Sequence, residues 1–355
     1  MKKSAILLLI LSLLLGCCAC GSAPDSAAEP AAPEAAAAEV TDAPAAEPTA
    51  EPTPEPVSYP PLPNGMSGNP AAYDASVPAT NILRDEVQDK FSQELFEDPS
   101  TGLSLDFNLF LPENYGNGDK YPLVFFMSDS SLVGKAVNAP VIQCRGAMIW
   151  ASEAWQAEYP CIVAVPQFNT TIIDDNSGSE EITDYVEAAA NLIRMLCESY
   201  DVDTDRLYGM GQSMGCMVSL YLDAKYDDLY AACLFVDGQW NIGELEGLKD
   251  RKFVYFAAEG DQKASAGMAE VKQMLADAGI PYGEAVWNAQ DDQASLNEQA
   301  LTLLAEGNDI NFISWQIGSV VGKPGQDGGM REHMASFDYA FRQSVLRAWL
   351  FAQSK

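Results

Sequence analysis

The chain has 355 residues, enough for one large or two ordinary domains with a sizeable core. It carries 51 acidic against 20 basic residues, a formal charge of −31. A charge of that sign excludes nucleic acid as an expected partner, because phosphate binding requires a basic patch.

The N-terminus reads as an export signal. Met1-Lys2-Lys3 is followed by an apolar run from Ala5 to Leu15 and then by Gly16-Cys17, a basic start and an apolar stretch too short to span a bilayer. Leu14-Leu15-Gly16-Cys17 resembles a bacterial lipobox. That resemblance implies a signal peptide over residues 1–16, lipidation of Cys17 and a membrane anchor outside the cytoplasm; cleavage a few residues later, giving a secreted protein, is the alternative. Residues 17–63 are dominated by Ala, Pro, Glu and Thr, with eight acidic and no basic residues between Gly21 and Tyr59. Such a segment has too little apolar surface to offset the entropy of ordering and is expected to be a disordered tether. Residues 64–88 are a poorly patterned lead-in, and the folded domain is expected over residues 89–355.

From there strand and helix patterns alternate. Leu103–Leu111 alternates apolar and polar residues, as a strand near a sheet edge does, and Pro112 stops it. Leu123–Met127 and Cys161–Val165 are continuous apolar runs, the pattern of strands buried on both faces. Further strands are expected at Leu207–Met210, Ala231–Val236, Phe253–Ala257, Tyr282–Trp287 and Phe312–Ile317. Helices are expected within Val141–Ala157 and over Glu181–Tyr200, Met214–Tyr226, Ala264–Ala278, Ala294–Ala305 and Ser336–Phe351. Repeated strand–helix alternation predicts an α/β domain with a mainly parallel sheet.

Among these elements Gly211-Gln212-Ser213-Met214-Gly215 has the Gly-Xaa-Ser-Xaa-Gly pattern of a sharp strand-to-helix turn that exposes a serine hydroxyl. A serine hydroxyl becomes a useful nucleophile only beside a base, most often histidine. The chain has one histidine, His333, expected in a glycine-rich loop between the last strand and the last helix. A carboxylate should orient that histidine. Asp261, in the loop after Phe253–Ala257, is favoured; Asp237, at the end of the preceding strand, and Glu259 are its rivals.

Of eight cysteines, Cys17, Cys18 and Cys20 belong to the leader. The other five lie mostly in apolar runs and read as buried free thiols, although one or two disulfides are compatible with an extracellular address. None suits the role of nucleophile.

Four stretches resemble a known group: Leu105–Pro112 with Lys120–Phe126; Val165-Pro-Gln167; Val202–Leu207 leading into Gly-Gln-Ser-Met-Gly; and Glu332–Phe341 with Arg347–Phe351. The region from about Phe91 to the end resembles secreted α/β-hydrolases of the polyhydroxybutyrate-depolymerase, feruloyl-esterase and predicted-peptidase group. That resemblance implies an α/β-hydrolase fold with helices on both faces of the sheet and a triad of Ser213, Asp261 and His333. It also implies carboxylic ester substrates, either acyl or hydroxycinnamoyl esters of polysaccharides or small polyesters, with peptide cleavage as an alternative. No metal or organic cofactor is implied. An oxyanion hole is expected from the N–H of Met214 and an amide at Ser128 or Asp129, in the stretch running to Ser130. There the group normally has His-Gly; here the residues are Ser128-Asp-Ser-Ser131, and the Asp129 charge would oppose an oxyanion unless it points away. That departure keeps a non-catalytic binding protein on the same scaffold in view. Gln167, Gln212 and Trp240 are candidate substrate contacts, with Gln239, Phe168 and Tyr339 as further guesses.

Overall fold

The computed structural model describes residues 79–175 and 180–355. The leader, Cys17 and the tether, as well as residues 64–78 of the lead-in, lie outside the described residues.

The described chain opens with helix α1 (Thr80–Val87), then strands β1 (Ser92–Glu97), β2 (Ser104–Phe110) and β3 (Tyr121–Met127). Three short helices follow, α2 (Ala139–Ile142), α3 (Arg145–Ala151) and α4 (Glu153–Glu158), before β4 (Ile162–Gln167). A small hairpin of β5 (Ile173–Asp174) and β6 (Glu181–Ile182) leads into α5 (Asp184–Ser199). Next come β7 (Val202–Gln212), α6 (Met214–Lys225), β8 (Ala232–Val236), β9 (Phe253–Ala258) and α7 (Gln262–Ala278). The remainder is β10 (Gly283–Trp287), α8 (Gln293–Leu304), β11 (Ile310–Trp315), α9 (Arg331–Phe341) and α10 (Ser344–Phe351).

Nine strands form one sheet in the order β1-β2-β4-β3-β7-β8-β9-β11-β10. The β1–β2 and β2–β4 pairs are antiparallel; every pairing from β4 to β10 is parallel. The side-chain period of two divides the buried strands between two cores. Along β3, Val124 and Phe126 join one core, whereas Leu123, Phe125 and Met127 join the other. Helices α3, α8, α9 and α10 cover the first face, and α5, α6 and α7 the second. Continuous apolar runs are what a sheet covered on both faces requires.

The predicted strands fall within or close to the observed ones, with differences that have local causes. Strand β7 begins at Val202, before the apolar run: its first residues pair β3 only at Tyr121, and Thr204 and Asp205 there are exposed and give no apolar signal. Strand β1 lacks an apolar signal: as the sheet edge it buries only Phe96. The lead-in is structured from Thr80: Leu83 and Val87 are completely buried against the core, and Arg84 Nε donates to the Ile142 carbonyl at 2.8 Å. The predicted last helix is two. Gln343 takes an extended backbone between them and donates its side-chain amide to the Tyr339 carbonyl at 2.8 Å.

Candidate active site

The carboxyl ends of β7, β8, β9 and β11 bring the chemistry together, the edge of a parallel sheet where ligands usually sit. Ser213 stands between β7 and α6 with φ 52° and ψ −120°. This left-handed backbone is strained for a residue with a Cβ. The glycines around it leave no alternative residue. A Cβ on Gly211 would stand 2.3 Å from the Gly215 backbone, and one on Gly215 would stand 2.0 Å from the Met127 carbonyl oxygen. Although Ser213 precedes a helix, its side chain makes no capping hydrogen bond. The hydroxyl instead faces His333 Nε2 at 2.8 Å.

On the other side of the ring, His333 Nδ1 lies 2.5 Å from Asp261 Oδ2. Asp261 also caps α7, its Oδ1 accepting the Ala264 N–H at 3.2 Å. His333 belongs to the first turn of α9 and not to the preceding loop. Its neighbour Glu332 is fully buried and accepts the N–H groups of Gly318 at 3.0 Å and Gly328 at 2.6 Å, which folds the glycine-rich segment back onto the helix. Burial would lower the imidazole pKa, but the hydrogen bond to Asp261 and the charge of Asp261 outweigh it and raise the pKa above its ordinary value of 6.5.

The rival carboxylates are engaged elsewhere. Glu259 accepts the Ile317 N–H at 2.8 Å. Asp237 is completely buried and accepts the Ala258 N–H at 2.8 Å; it also meets the Ser336 hydroxyl. Burial, followed by the nearby Asp261 charge, pushes its pKa up to about 7.

Ser213, Asp261 and His333 open onto a cleft of about 640 Å³. Ile173, Met214, Met217 and Met330 give it apolar walls, while Asp174, Asp175 and Lys263 give it charge. Lys263 pairs with Asp175 at 3.0 Å, and Gln239 donates to the same carboxylate at 2.6 Å. A larger groove of about 800 Å³, lined by Lys90, Pro112, Asn114 and Tyr121 among others, lies at the opposite edge of the parallel strands and holds none of these three residues.

Several expected contacts are placed differently. Gln167 is 2% exposed and donates its amide to the carbonyls of Leu132 and Lys135, at 2.8 and 3.1 Å. It clamps the loop after β3 and does not line the cleft. Gln212 is fully buried and donates to Asp129 and Gln143. Trp240 is 4% exposed and packs in the core beneath α6 and α7. Phe168 packs against Tyr185, and Tyr339 against Trp315. Trp240 and Phe168 are taken up by the core, and half-buried Tyr339 accepts the Gln290 side-chain amide at 2.8 Å; none of the three lines the cleft.

In the loop after β3, Ser130 lines the cleft, whereas Ser128 and Asp129 are buried and do not. The Ser128 carbonyl accepts the Gly215 N–H at 3.0 Å, which ties this loop to the serine turn. Met214, the first residue of α6, also lines the cleft, and as the first helical residue its N–H has no intrahelical acceptor. Gln239, a guessed contact in the sequence, does line the cleft; the methionines 217 and 330 carried no sequence signal beyond their closeness to the serine turn and to His333. Cys144, Cys161, Cys197, Cys216 and Cys233 are all free. Burial pushes the Cys144 and Cys161 thiols up to about 12 and that of Cys216, one turn after Ser213, well above its ordinary value. Such thiols are poor nucleophiles.

No family model matches the chain, and no curated protein matches it in sequence. Among solved structures, it is similar to a thermostable esterase at 24% identity and a TM-score of 0.60, over 76% of this chain. That match covers 64% of the esterase, so this chain spans less than two thirds of its length. A ferulic acid esterase matches at 12% identity and a TM-score of 0.47, over 73% of this chain and 98% of that one. A feruloyl esterase module from Clostridium thermocellum, solved with sinapinate, matches at 15% and 0.45, over 72% and 87%. With the strand order and the turn at Ser213, the first of these establishes that residues 92–351 have the α/β-hydrolase fold.

Proposed function

We propose that the protein is a serine hydrolase that cleaves carboxylic esters. The observation that carries this reading is the row Asp261–His333–Ser213, with contacts of 2.5 and 2.8 Å from one imidazole. Ser213 Oγ attacks the acyl carbon while His333 Nε2 takes its proton. Asp261 holds the ring in the tautomer with Nδ1 protonated and stabilises the imidazolium. The N–H groups of Met214 and Ser130 are the candidate donors to the oxyanion. His333 then returns the proton to the departing alkoxide, and water releases the acyl group by the same steps in reverse order of roles.

The substrate class follows from the cleft and from the resemblance in sequence. Ile173, Met217 and Met330 suit an apolar acyl or aryl group. Asp174, Asp175 and Asp261 outnumber Lys263 there and disfavour esters that carry a free carboxylate. Acyl or hydroxycinnamoyl esters of polysaccharides and small polyesters fit these terms. An address outside the cytoplasm, on a lipid anchor at Cys17, would place the enzyme where such polymers are met.

The test is a panel of nitrophenyl esters from acetyl to octanoyl on wild type and Ser213→Ala, together with labelling by a fluorophosphonate probe. Turnover and labelling should both vanish in the variant. Folded wild-type protein that neither reacts with the probe nor hydrolyses any ester of the panel would leave the second reading, a binding protein on the same scaffold. The single observation favouring that reading is the replacement of His-Gly by Ser128-Asp129 at the loop after β3.

A further inference from the structure

Among the described residues only two without glycine's freedom have a positive φ: Ser213 at 52° and Asp237 at 43°. They come directly after the neighbouring strands β7 and β8. The first strain is explained by the serine turn. The second holds a carboxyl group inside the protein, beneath the histidine.

Asp237 is fully buried, as is Ser336 on α9. The Ser336 hydroxyl meets two oxygens at once, Asp237 Oδ2 and the backbone carbonyl of His333, the latter at 2.9 Å. One hydroxyl has one proton. If Asp237 were ionised, both neighbours would be acceptors and one contact would lack a hydrogen. The row is complete only if the carboxyl brings its own proton, donates it to Ser336 Oγ, and Ser336 donates to the His333 carbonyl.

The surroundings agree. Charged and titratable groups facing Asp237 are Cys216 on α6, Tyr255 on β9, Asp261 after β9 and His333 on α9. The Cys216 thiol is neutral, and the Tyr255 hydroxyl is spent on the Gly238 carbonyl. With the imidazole neutral, as a general base must be, Asp237 faces one negative charge and no positive one. A buried carboxylate in that position is costly and takes up a proton instead.

We propose that Asp237 is a neutral carboxylic acid that positions His333, anchoring the histidine's own carbonyl through Ser336. Asp237 is thus a positioning residue, and its role rests on the reading of His333 as the base. Ionisation removes the donor and adds a second carboxylate beside the imidazole, which favours the protonated ring and withdraws the base.

The experiment has a spectroscopic and a kinetic arm. On the acid side of neutrality, the infrared difference between wild type and Asp237→Asn should contain the carbonyl stretch of a protonated carboxylic acid. A difference with carboxylate bands alone would overturn the proposal. This arm needs no substrate, so it decides even if the chain hydrolyses no ester. In the kinetic arm, Asp237→Asn keeps a donor toward Ser336, and kcat should stay within about threefold of wild type. Ser336→Ala removes the relay and is expected to lower kcat about tenfold or more with KM unchanged. A Ser336→Ala enzyme with wild-type kcat, or an Asp237→Asn enzyme as slow as Ser336→Ala, counts against the positioning role.

Discussion

Gln212 Nε2 donates to Asp129 Oδ2 at 3.0 Å, so the residue before Ser213 restrains the one carboxylate of the loop that faces the serine turn. Asp129 Oδ1 accepts the Ser131 N–H at 2.9 Å. Both carboxylate oxygens are thereby held within the protein, and Asp129 does not line the cleft. The Asp129 carboxylate is thus spent on Gln212 and Ser131. A glycine there would have left the loop freer; an aspartate held by two donors, Gln212 and the Ser131 N–H, makes it specific.

That bond predicts how Gln212 acts. Gln212→Leu leaves a buried carboxylate short of a donor, which costs roughly 1–3 kcal/mol. Urea unfolding should record that loss, accompanied by lower turnover. A variant of unchanged stability with only KM raised would instead make Gln212 a substrate contact.

The pH dependence follows from the sign of the His333 shift. The base must be neutral, and its pKa lies above 6.5. Ester turnover should therefore rise with pH through a midpoint above that value and fall again where Asp237 loses its proton. For stability the direction is reversed: a group whose pKa is raised on folding contributes fully below its unfolded pKa, and that contribution is lost as pH rises through the folded value. His333→Gln should be closest to wild type in stability on the alkaline side. Because the chain has a single histidine, its imidazole NMR titration reads the group directly.

Asp261 does two jobs with two oxygens, and substitution separates them. Asp261→Asn keeps an acceptor for the Ala264 N–H but selects the wrong imidazole tautomer, and kcat should fall about 10⁴-fold. Asp261→Ser also keeps the cap of α7, whereas Asp261→Ala loses it, at a cost of about 1 kcal/mol in thermal unfolding. Equal stability of the serine and alanine variants would contradict the capping role.

Gly215→Ala should be severe for a reason unrelated to proton transfer. Its Cβ would meet the Met127 carbonyl at 2.0 Å, backbone against backbone, and neither can swing aside. Overpacking of this kind costs about 1–3 kcal/mol or more. Calorimetry of Gly215→Ala in a Ser213→Ala background should show the full penalty.

Leu83 tests the lead-in helix. Leu83→Ala removes a completely buried side chain and should cost about 2–5 kcal/mol. A loss near zero in urea unfolding would mean that α1 is not docked in solution.

The parallel sheet was legible because strands such as Leu123–Met127 are apolar at every position, and His333 stood out as the single histidine of the sequence. What could not be read was burial of polar groups. Gln167 and Gln212 look alike in sequence to residues that touch a substrate; only the carbonyls of Leu132 and Lys135, distant in the chain, show where the Gln167 amide is used. Helix α1 escaped notice because two apolar side chains, Leu83 and Val87, suffice to dock it, too few for a periodic signal. Met217 and Met330 of the cleft wall gave no sign, since methionine serves equally well in a core.

The strand order has a consequence for how such a protein can change. Asp261 and His333 are 72 residues apart in sequence, yet they follow β9 and β11, which are direct neighbours joined from Ile310↔Phe253 to Trp315↔Ala258. Strand β10, which lies between them in the sequence, is set outside that pair at the sheet's far edge. It makes a detour in the chain with no counterpart in the distance across the site. Descendants can lengthen, trim or redecorate that detour while the acid and the base stay in touch.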